Sequence, residues 1–372
     1  MVNFEIVCTL KAIKDTDAFH PYEVKTFESG WQNIKYRFNA ISGTNRFQLE
    51  INGGKWENDA KNKILTFSRA TNGKKSEKME VAWGDRNNKD IINRVAGFRV
   101  FTCNLLTLDE QKELEKEGKA DEVQNKNHQF IEATEYADLV KKVLDSNEYK
   151  DTKFKVLGSF DFQYSAKNDQ FYRTLTVNKI YKVADDTPFK AEMTINTFYT
   201  DDAIDADRYD ETKKYMFNCY TDHYFSSIKS NRFVPMTLVI NGNGDETAER
   251  KAEGFKKKLT TFDDEATVRK IQLVCDMIDG SEAQAITYND LDDDTKENVD
   301  FGLISLEEAI KGLGGNMFGP RVTESRVKAL GRFSAKGSEA TVYTVDDLKK
   351  LPVVEEKDDD DFDLFSDDDD EI

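Results

Sequence analysis

The sequence predicts a mainly β chain with added helices, an α+β protein that ends in an acidic tail. Three observations carry that reading. Apolar and polar residues alternate through residues 34–40 and 46–51, on either side of a polar turn, and again through 159–164, the period of half-buried strands. A helical period replaces this alternation between residues 107 and 144. From Glu355 to Ile372 there are twelve acidic residues and one lysine.

In the first region Ile34, Tyr36, Phe38 and Ala40 alternate with Lys35, Arg37 and Asn39. Ser42-Gly43-Thr44-Asn45 then turns the chain, and Phe47, Leu49 and Ile51 return it among Arg46, Gln48 and Glu50. This is a hairpin with one apolar face and one polar, partly basic face. Further strands are expected at 64–67, 78–83 and 97–105. Thr107-Leu108-Asp109-Glu110 opens a charged helix running to about Gly118, and 133–144 forms a second, with Tyr136, Leu139, Val140, Val143 and Leu144 on one stripe.

Strands resume at Phe154. Phe160, Phe162 and Tyr164 alternate with Ser159, Asp161 and Gln163, and the turn at 166–169 leads into 171–181. Tyr36-Arg37-Phe38-Asn39 matches Phe160-Asp161-Phe162-Gln163 in pattern, a weak internal repeat of two β-modules. Beyond the polar stretch 201–214, residues 231–352 mix strands (233–240, 268–277) with helices (303–313, 324–330). The division expected is therefore a first β-module at 1–106, a helical connection at 107–150, a second β-module at 151–230, a mixed α/β region at 231–352 and a disordered tail at 353–372.

Charge is unevenly spread. The total is −18, of which the segment 355–372 holds −11, leaving −7 on residues 1–354. Residues 1–106 run the other way, with 17 Lys/Arg against 12 Asp/Glu. A basic front and an acidic end are the asymmetry of a nucleic-acid binder with a tail. Cys8, Cys103, Cys219 and Cys275 have no CxxC spacing, which fits reduced thiols and a cytoplasmic location. No signal peptide or membrane-spanning run is expected.

Catalytic patterns are thin. Asn241-Gly242-Asn243-Gly244 and Gly312-Leu313-Gly314-Gly315 lack the Gly-Lys-Ser/Thr ending of a phosphate loop. Cys219 and His223 lack the second pair of ligands a structural zinc needs. The aspartates at 201, 202, 205, 207 and 210 match no EF-hand spacing. No enzyme activity, cofactor or metal is expected.

Aromatic side chains among cations on short strands are a different matter. Single strands are held without sequence choice by rings that stack on bases and cations that follow phosphates. Trp31, Tyr36, Phe38, Trp56 and Trp83 lie among Lys35, Arg37, Arg46, Lys55, Lys61, Lys63, Lys74 and Lys75. Tyr164, Phe171, Tyr172 and Tyr181 lie among Lys153, Lys155, Lys167, Arg173, Lys179 and Lys182. Phe38, Phe47, Phe160 and Phe162 are assigned to the core. The nucleic-acid-binding candidates are Trp31, Lys35, Arg37, Arg46, Lys55, Trp56, Lys61, Lys63, Lys74, Lys75, Lys167, Tyr172, Arg173, Lys179 and Lys182.

The tail, EEKDDDDFDLFSDDDDEI, cannot pack two runs of four aspartates together, yet it sets Phe362, Leu364 and Phe365 within them. In this the chain resembles the acidic-tailed single-stranded DNA-binding proteins of bacteriophage and bacterial replication. It departs from the bacterial ones in ending Asp370-Glu371-Ile372 instead of Pro-Phe. The resemblance implies OB-like β-barrel modules with inserted helices and single-stranded DNA as ligand. It further implies recruitment of replication or repair proteins through Phe362, Leu364 and Phe365, in the host cytoplasm if the gene is a phage's. Two other readings compete: a phage structural or interaction protein or acidic DNA mimic, and a metal-dependent nuclease built on the aspartates at 201–210.

Overall fold

Alternation of large apolar residues with polar ones makes strands that can bury only one face, and such strands must close on one another or on helices. The computed structural model describes residues 2–71, 75–262, 267–285, 288, 291–312, 316–335 and 337–353. In chain order the strands are β1 (Asn3–Ala12), β2 (Tyr22–Thr26), β3 (Trp31–Ser42), β4 (Asn45–Trp56), β5 (Lys63–Phe67), β6 (Lys78–Ala82), β7 (Phe101–Asn104), β8 (Asn127–Phe130), β9 (Lys153–Ser165), β10 (Gln170–Lys182), β11 (Lys190–Tyr199), β12 (Ile204–Asp205), β13 (Lys214–Phe225), β14 (Ser230–Asn241), β15 (Arg269–Ala285), β16 (Asn316–Leu330) and β17 (Glu339–Ala340). The helices are α1 (Lys89–Arg94), α2 (Leu108–Lys116), α3 (Ala120–Lys126), α4 (Ala133–Asp145), α5 (Tyr209–Thr212), α6 (Glu246–Thr260), α7 (Asp293–Asp300), α8 (Leu306–Gly312) and α9 (Val345–Lys349).

All strands but β5 and β6 link into one continuous sheet, and its pairings close twice. In the first ring β1 pairs with β3, β3 with β4, β4 in parallel with β10, β10 with β9, and β9 again with β1. In the second, β11 pairs with β13, β13 with β14, β14 in parallel with β16, β16 with β15, and β15 again with β11. Taking each ring's strands in sequence order, both read first–second–third–fifth–fourth–first, with third and fifth parallel. A helix falls between third and fourth in both, α4 in the first ring and α6 in the second.

Each ring is filled by the apolar parity of its strands. Tyr36, Phe38, Leu49, Ile51, Phe154, Phe160 and Phe162 are buried in the first, as are Met193, Ile195, Phe217, Leu238, Ile271 and Leu273 in the second. Helix α4 packs its stripe, Tyr136, Ala137, Val140 and Val143, onto the same core. Its first residue sits so close to β4 that a Cβ on Gly53 would come 2.7 Å from that of Ala133. The rings share an edge where β1 pairs with β11. They meet again where Gly280 opposes Asn45, and a Cβ on Gly280 would stand 2.2 Å from the Thr44 carbonyl oxygen.

The strand pairing crosses the module boundaries expected at 106 and 151. Strands β9 and β10, expected to open a second module, complete the first ring, while β11 and β13 begin the second. The resembling pieces at 36–39 and 160–163 are thus two walls of one ring. The repeat that the topology shows sets β1–β10 against β11–β16. One expected helix is also overturned: residues 324–330 belong to β16, whose ladder with β15 runs from Asn316 to Leu330 and overrides local helix propensity. The helix expected at 303–313 is the shorter α8. Among the described residues no helix is long and apolar enough to cross a membrane.

Candidate nucleic-acid interface

Alternation along β3 turns Ile34, Tyr36 and Phe38 into the first ring and leaves Trp31, Lys35 and Arg37 on its outer face. The antiparallel register places Trp56 opposite Trp31, Asn52 opposite Lys35 and Glu50 opposite Arg37. Residues directly opposite share a face. The two indoles therefore meet, edge to face, with centroids 5.3 Å apart. Room for this comes from Gly54, where a Cβ would lie 2.3 Å from Trp31 Cζ2.

The chain beyond Trp56 is folded back by Asn62. Its Oδ1 accepts the Trp56 amide proton at 2.7 Å, and its Nδ2 donates to the Trp56 carbonyl at 2.9 Å. That clamp sets Lys61 Nζ 5.5 Å from the Trp56 ring centroid, a cation beside a π-face. On the other flank β2 pairs with β3, bringing Glu23 beside Lys35 and Lys25 beside Asn33. Lys25 Nζ lies 4.9 Å from the exposed Phe27 ring, and the Arg37 guanidinium lies 5.5 Å from Phe19.

Arg37 is partly neutralised, with ion pairs to Glu50 at 3.0 Å and Glu23 at 3.4 Å. Lys25, Lys35 and Lys61 have no carboxylate within ion-pair distance among the described residues. A groove of about 280 Å³ runs on from this face toward β10 and β9, where Lys35, Arg37 and Arg173 line it with Glu50, Gln48 and Gln163. Arg173 sets its guanidinium 5.2 Å from the Phe160 ring. Tyr172, next along β10, is 46% exposed, and its hydroxyl accepts from Asn168 Nδ2 at 2.8 Å. Lys167 is exposed in the same hairpin turn.

The structure thus brings together Trp31, Lys35, Arg37, Trp56 and Lys61, with Arg173 in the adjoining groove and Tyr172 opposite the groove residue Gln163. It does not bring in the rest. Lys55 shares the parity of Ile34, opposite to that of the two tryptophans. Arg46 is exposed but stands at the far end of β4. Lys179 lies on the stretch of β10 paired with β7, and Lys182 is bound to Glu110 at 2.6 Å. Tyr36 is core, and the Trp83 ring is covered by Arg86 at 4.6 Å. Lys74, Phe362, Leu364 and Phe365 lie outside the described residues.

Lys63 and Lys75 belong to a lobe inserted after β4, where β5, β6 and α1 surround a small core of Ile64, Val81, Ile92 and Val95. Lys63 is paired with Glu80 at 3.1 Å, and Lys75 is exposed. Residues 57–100 carry ten Lys/Arg against six Asp/Glu, so most of the positive excess of the N-terminal region sits here. At its surface Phe98 is 66% exposed, and Arg99 lies 5.3 Å from Phe67 and 5.8 Å from Phe98. Sequence reasoning missed Lys25, Phe27, Phe98 and Arg99. The alternation Tyr22-Glu23-Val24-Lys25-Thr26 was the signal for the first two.

Two of the aspartates of 201–210 are held in local turns: Asp202 accepts from the Thr200 hydroxyl, and Asp205 accepts the Asp207 amide proton at 2.9 Å. Among the described residues no three His, Cys, Asp or Glu side chains are grouped to hold a metal ion. No protein-family model matches this chain, and no curated protein matches it. Two solved structures are similar over most of the chain, both of the single-stranded DNA binding protein from Thermus aquaticus. The wild-type form shares 7% identity over 74% of this chain and 85% of that one, with a TM-score of 0.28. An internal deletion mutant shares 8% over 75% and 87%, with a TM-score of 0.29. Likeness at that level fixes no residue correspondence.

Proposed function

We propose that this protein binds single-stranded DNA on the outer face of β3 and β4, without sequence choice and without catalysis. The observation that carries the reading is the Trp31–Trp56 pair on one face with Lys25, Lys35 and Lys61, cations with no carboxylate within ion-pair distance among the described residues. Stacking platforms and an electrostatic track are what single strands require. The ring supports the same reading. Five strands closed in the order first–second–third–fifth–fourth, with a helix between third and fourth, support an OB-like reading of the ring, in which the second and third strands would form the oligonucleotide face.

The acidic segment 355–372 completes the proposal. Tethered to the body with a net charge of −11, it competes with phosphates for the same cations, most strongly at low salt. DNA binding then releases Phe362, Leu364 and Phe365 to replication or repair proteins. Removing 355–372 is expected to tighten binding at low salt.

Tryptophan emission tests the site. Oligo(dT) is expected to quench it, and Trp31→Ala or Trp56→Ala to weaken binding by about 1–3 kcal/mol. Trp83→Ala, whose ring Arg86 covers, is expected to leave affinity unchanged. If neither Trp31→Ala nor Trp56→Ala weakens binding in a folded protein, the face is misassigned.

A further inference from the structure

The two rings share one connectivity, and the second carries an aromatic outer face of its own. It is built where β11, the first strand of that ring, meets β13 and β14, with Phe198, Tyr220 and Phe233 turned outward. Phe198 pairs with Tyr220 across the strands, and the Phe198 and Phe233 rings meet at 4.9 Å. Lys270, paired with Phe198 from β15, holds Nζ 5.6 Å from that ring. Rings for bases and a cation for phosphate recur here as at Trp31, Trp56 and Lys61.

What lies over this face is the chain's own C-terminal segment. Strand β17 pairs with β15 at Arg269 and Lys270, and the Thr341 amide donates to the Val268 carbonyl at 3.1 Å. Tyr343 then sets its ring edge-on to Phe233 at 4.9 Å and to Phe198 at 5.6 Å. Helix α9, opened by a reciprocal Thr344–Asp347 capping box, lays Leu348 on Phe198 and Val268. Leu348 is 2% exposed, whereas Tyr343 is still 42% exposed. A cavity of about 570 Å³ remains between α9, which contributes Leu348 and Lys349, and a wall of Asp201, Asp202, Asn218, Tyr220 and Phe262. The segment thus roofs the aromatic face through few side chains and does not fill it.

We propose that the second ring carries a second single-strand-binding face, formed by Phe198, Tyr220, Phe233 and Lys270, which residues 339–353 cover and a nucleic-acid strand displaces. The proposal rests on the reading of the first ring as a single-strand platform. It gives the protein two modes: a short strand occupies the open face alone, and a longer one reaches the second ring by lifting the roof. The segment 355–372 follows directly on that roof, so lifting the roof moves the point from which the acidic residues are tethered.

The test compares three proteins: the full chain, a chain ending at Val353, and a chain ending at Ser338. Each is titrated with oligo(dT) of increasing length, following tryptophan emission and anisotropy. Removing 339–353 is expected to lengthen the strand at which affinity stops rising by about one further site, of order 4–16 nucleotides. Removing 354–372 alone is expected not to do so. Phe233→Ala in the shortest chain is expected to cancel the gain while the Trp31 and Trp56 quench persists. The same length dependence in both truncated proteins, with the quench intact, overturns the second face and leaves the first standing. Loss of the quench in all three counts against the first face, and the second falls with it. Should the shortest chain fail to fold, hydrogen exchange on the full chain decides. Amides at 341–349 are expected to lose protection with long oligo(dT) and to keep it with a strand that fills only the first face. Unchanged protection with the long strand overturns the proposal.

Discussion

At the scale of single residues, side-chain parity decides what each aromatic does. Trp31 and Tyr36 sit five apart on β3, and the odd spacing sends one to the outer face and the other to the core. This was legible in the sequence: alternation of Ile34, Tyr36 and Phe38 with Lys35 and Arg37 assigns both faces. Partners from distant segments were not legible. Lys182 reads as a phosphate contact until Glu110, 72 residues away, takes it at 2.6 Å. Gly54 shows how tightly the platform is set. Gly54→Ala would drive a methyl into Trp31, so the indole must move. The variant is expected to fold, shift its tryptophan emission and bind oligo(dT) more weakly, by about 1 kcal/mol or more if a stacked base is lost. Wild-type emission and affinity would show that the Trp31 position does not matter. The thiols are a second case. Cys8, Cys103, Cys219 and Cys275 are all buried, and burial pushes Cys103 up to about 12 and raises the other three as well. Since thiolate is the reactive form, none is expected to react with Ellman's reagent at about pH 8 until denaturant is added. Rapid labelling of the native protein would contradict the packing of both rings.

At the scale of elements, α4 shows both what local sequence specifies and what it hides. The stripe Tyr136–Val140–Val143 predicted the helix and its buried face, and the structure places both there. Its start is less obvious, because Glu132 caps it. The Glu132 carboxylate accepts the Thr134 amide proton at 2.6 Å and the Glu135 amide proton at 2.7 Å. Burial nevertheless outweighs those bonds and raises its pKa above the ordinary glutamate range. A carboxyl whose folded pKa is raised supports the fold below its unfolded pKa and loses that support as pH climbs through the folded value. Glu132→Gln, which keeps an oxygen for the cap and removes the desolvated charge, is expected to raise the melting temperature at about pH 7. Below the ordinary glutamate range the difference should vanish. A lower melting temperature near neutral pH would mean that the charge on the cap outweighs its desolvation. Strand β16 is the opposite lesson, since residues 324–330 look helical alone and are a strand because β15 supplies a long ladder.

At the scale of the whole molecule, the β-rich class and the hairpins were legible, whereas the grouping of strands into rings was not. Alternation identifies β3, β4, β9 and β10, but nothing local says that β4 meets β10 in parallel across more than a hundred residues. The tie between the rings was equally hidden. Gly280 stands against the turn that holds Thr44 and Asn45, and Asn45 Oδ1 accepts the Asp279 amide proton at 3.0 Å. A methyl at Gly280 has no room, so Gly280→Ala is expected to cost about 1–3 kcal/mol in thermal unfolding, as overpacking does. An unchanged melt would show that the rings do not depend on this contact.

The central claim, a platform for single strands, is tested most directly by an anisotropy titration of labelled oligo(dT) against a duplex of equal length at two salt concentrations. Phosphate contacts release counterions, so affinity should fall as salt rises, with a slope of roughly −0.7 per phosphate neutralised on a single strand. The expected result is tight, salt-sensitive binding of oligo(dT) with weaker binding of the duplex. Equal or tighter binding of the duplex, or no binding of oligo(dT) at low salt, would contradict it.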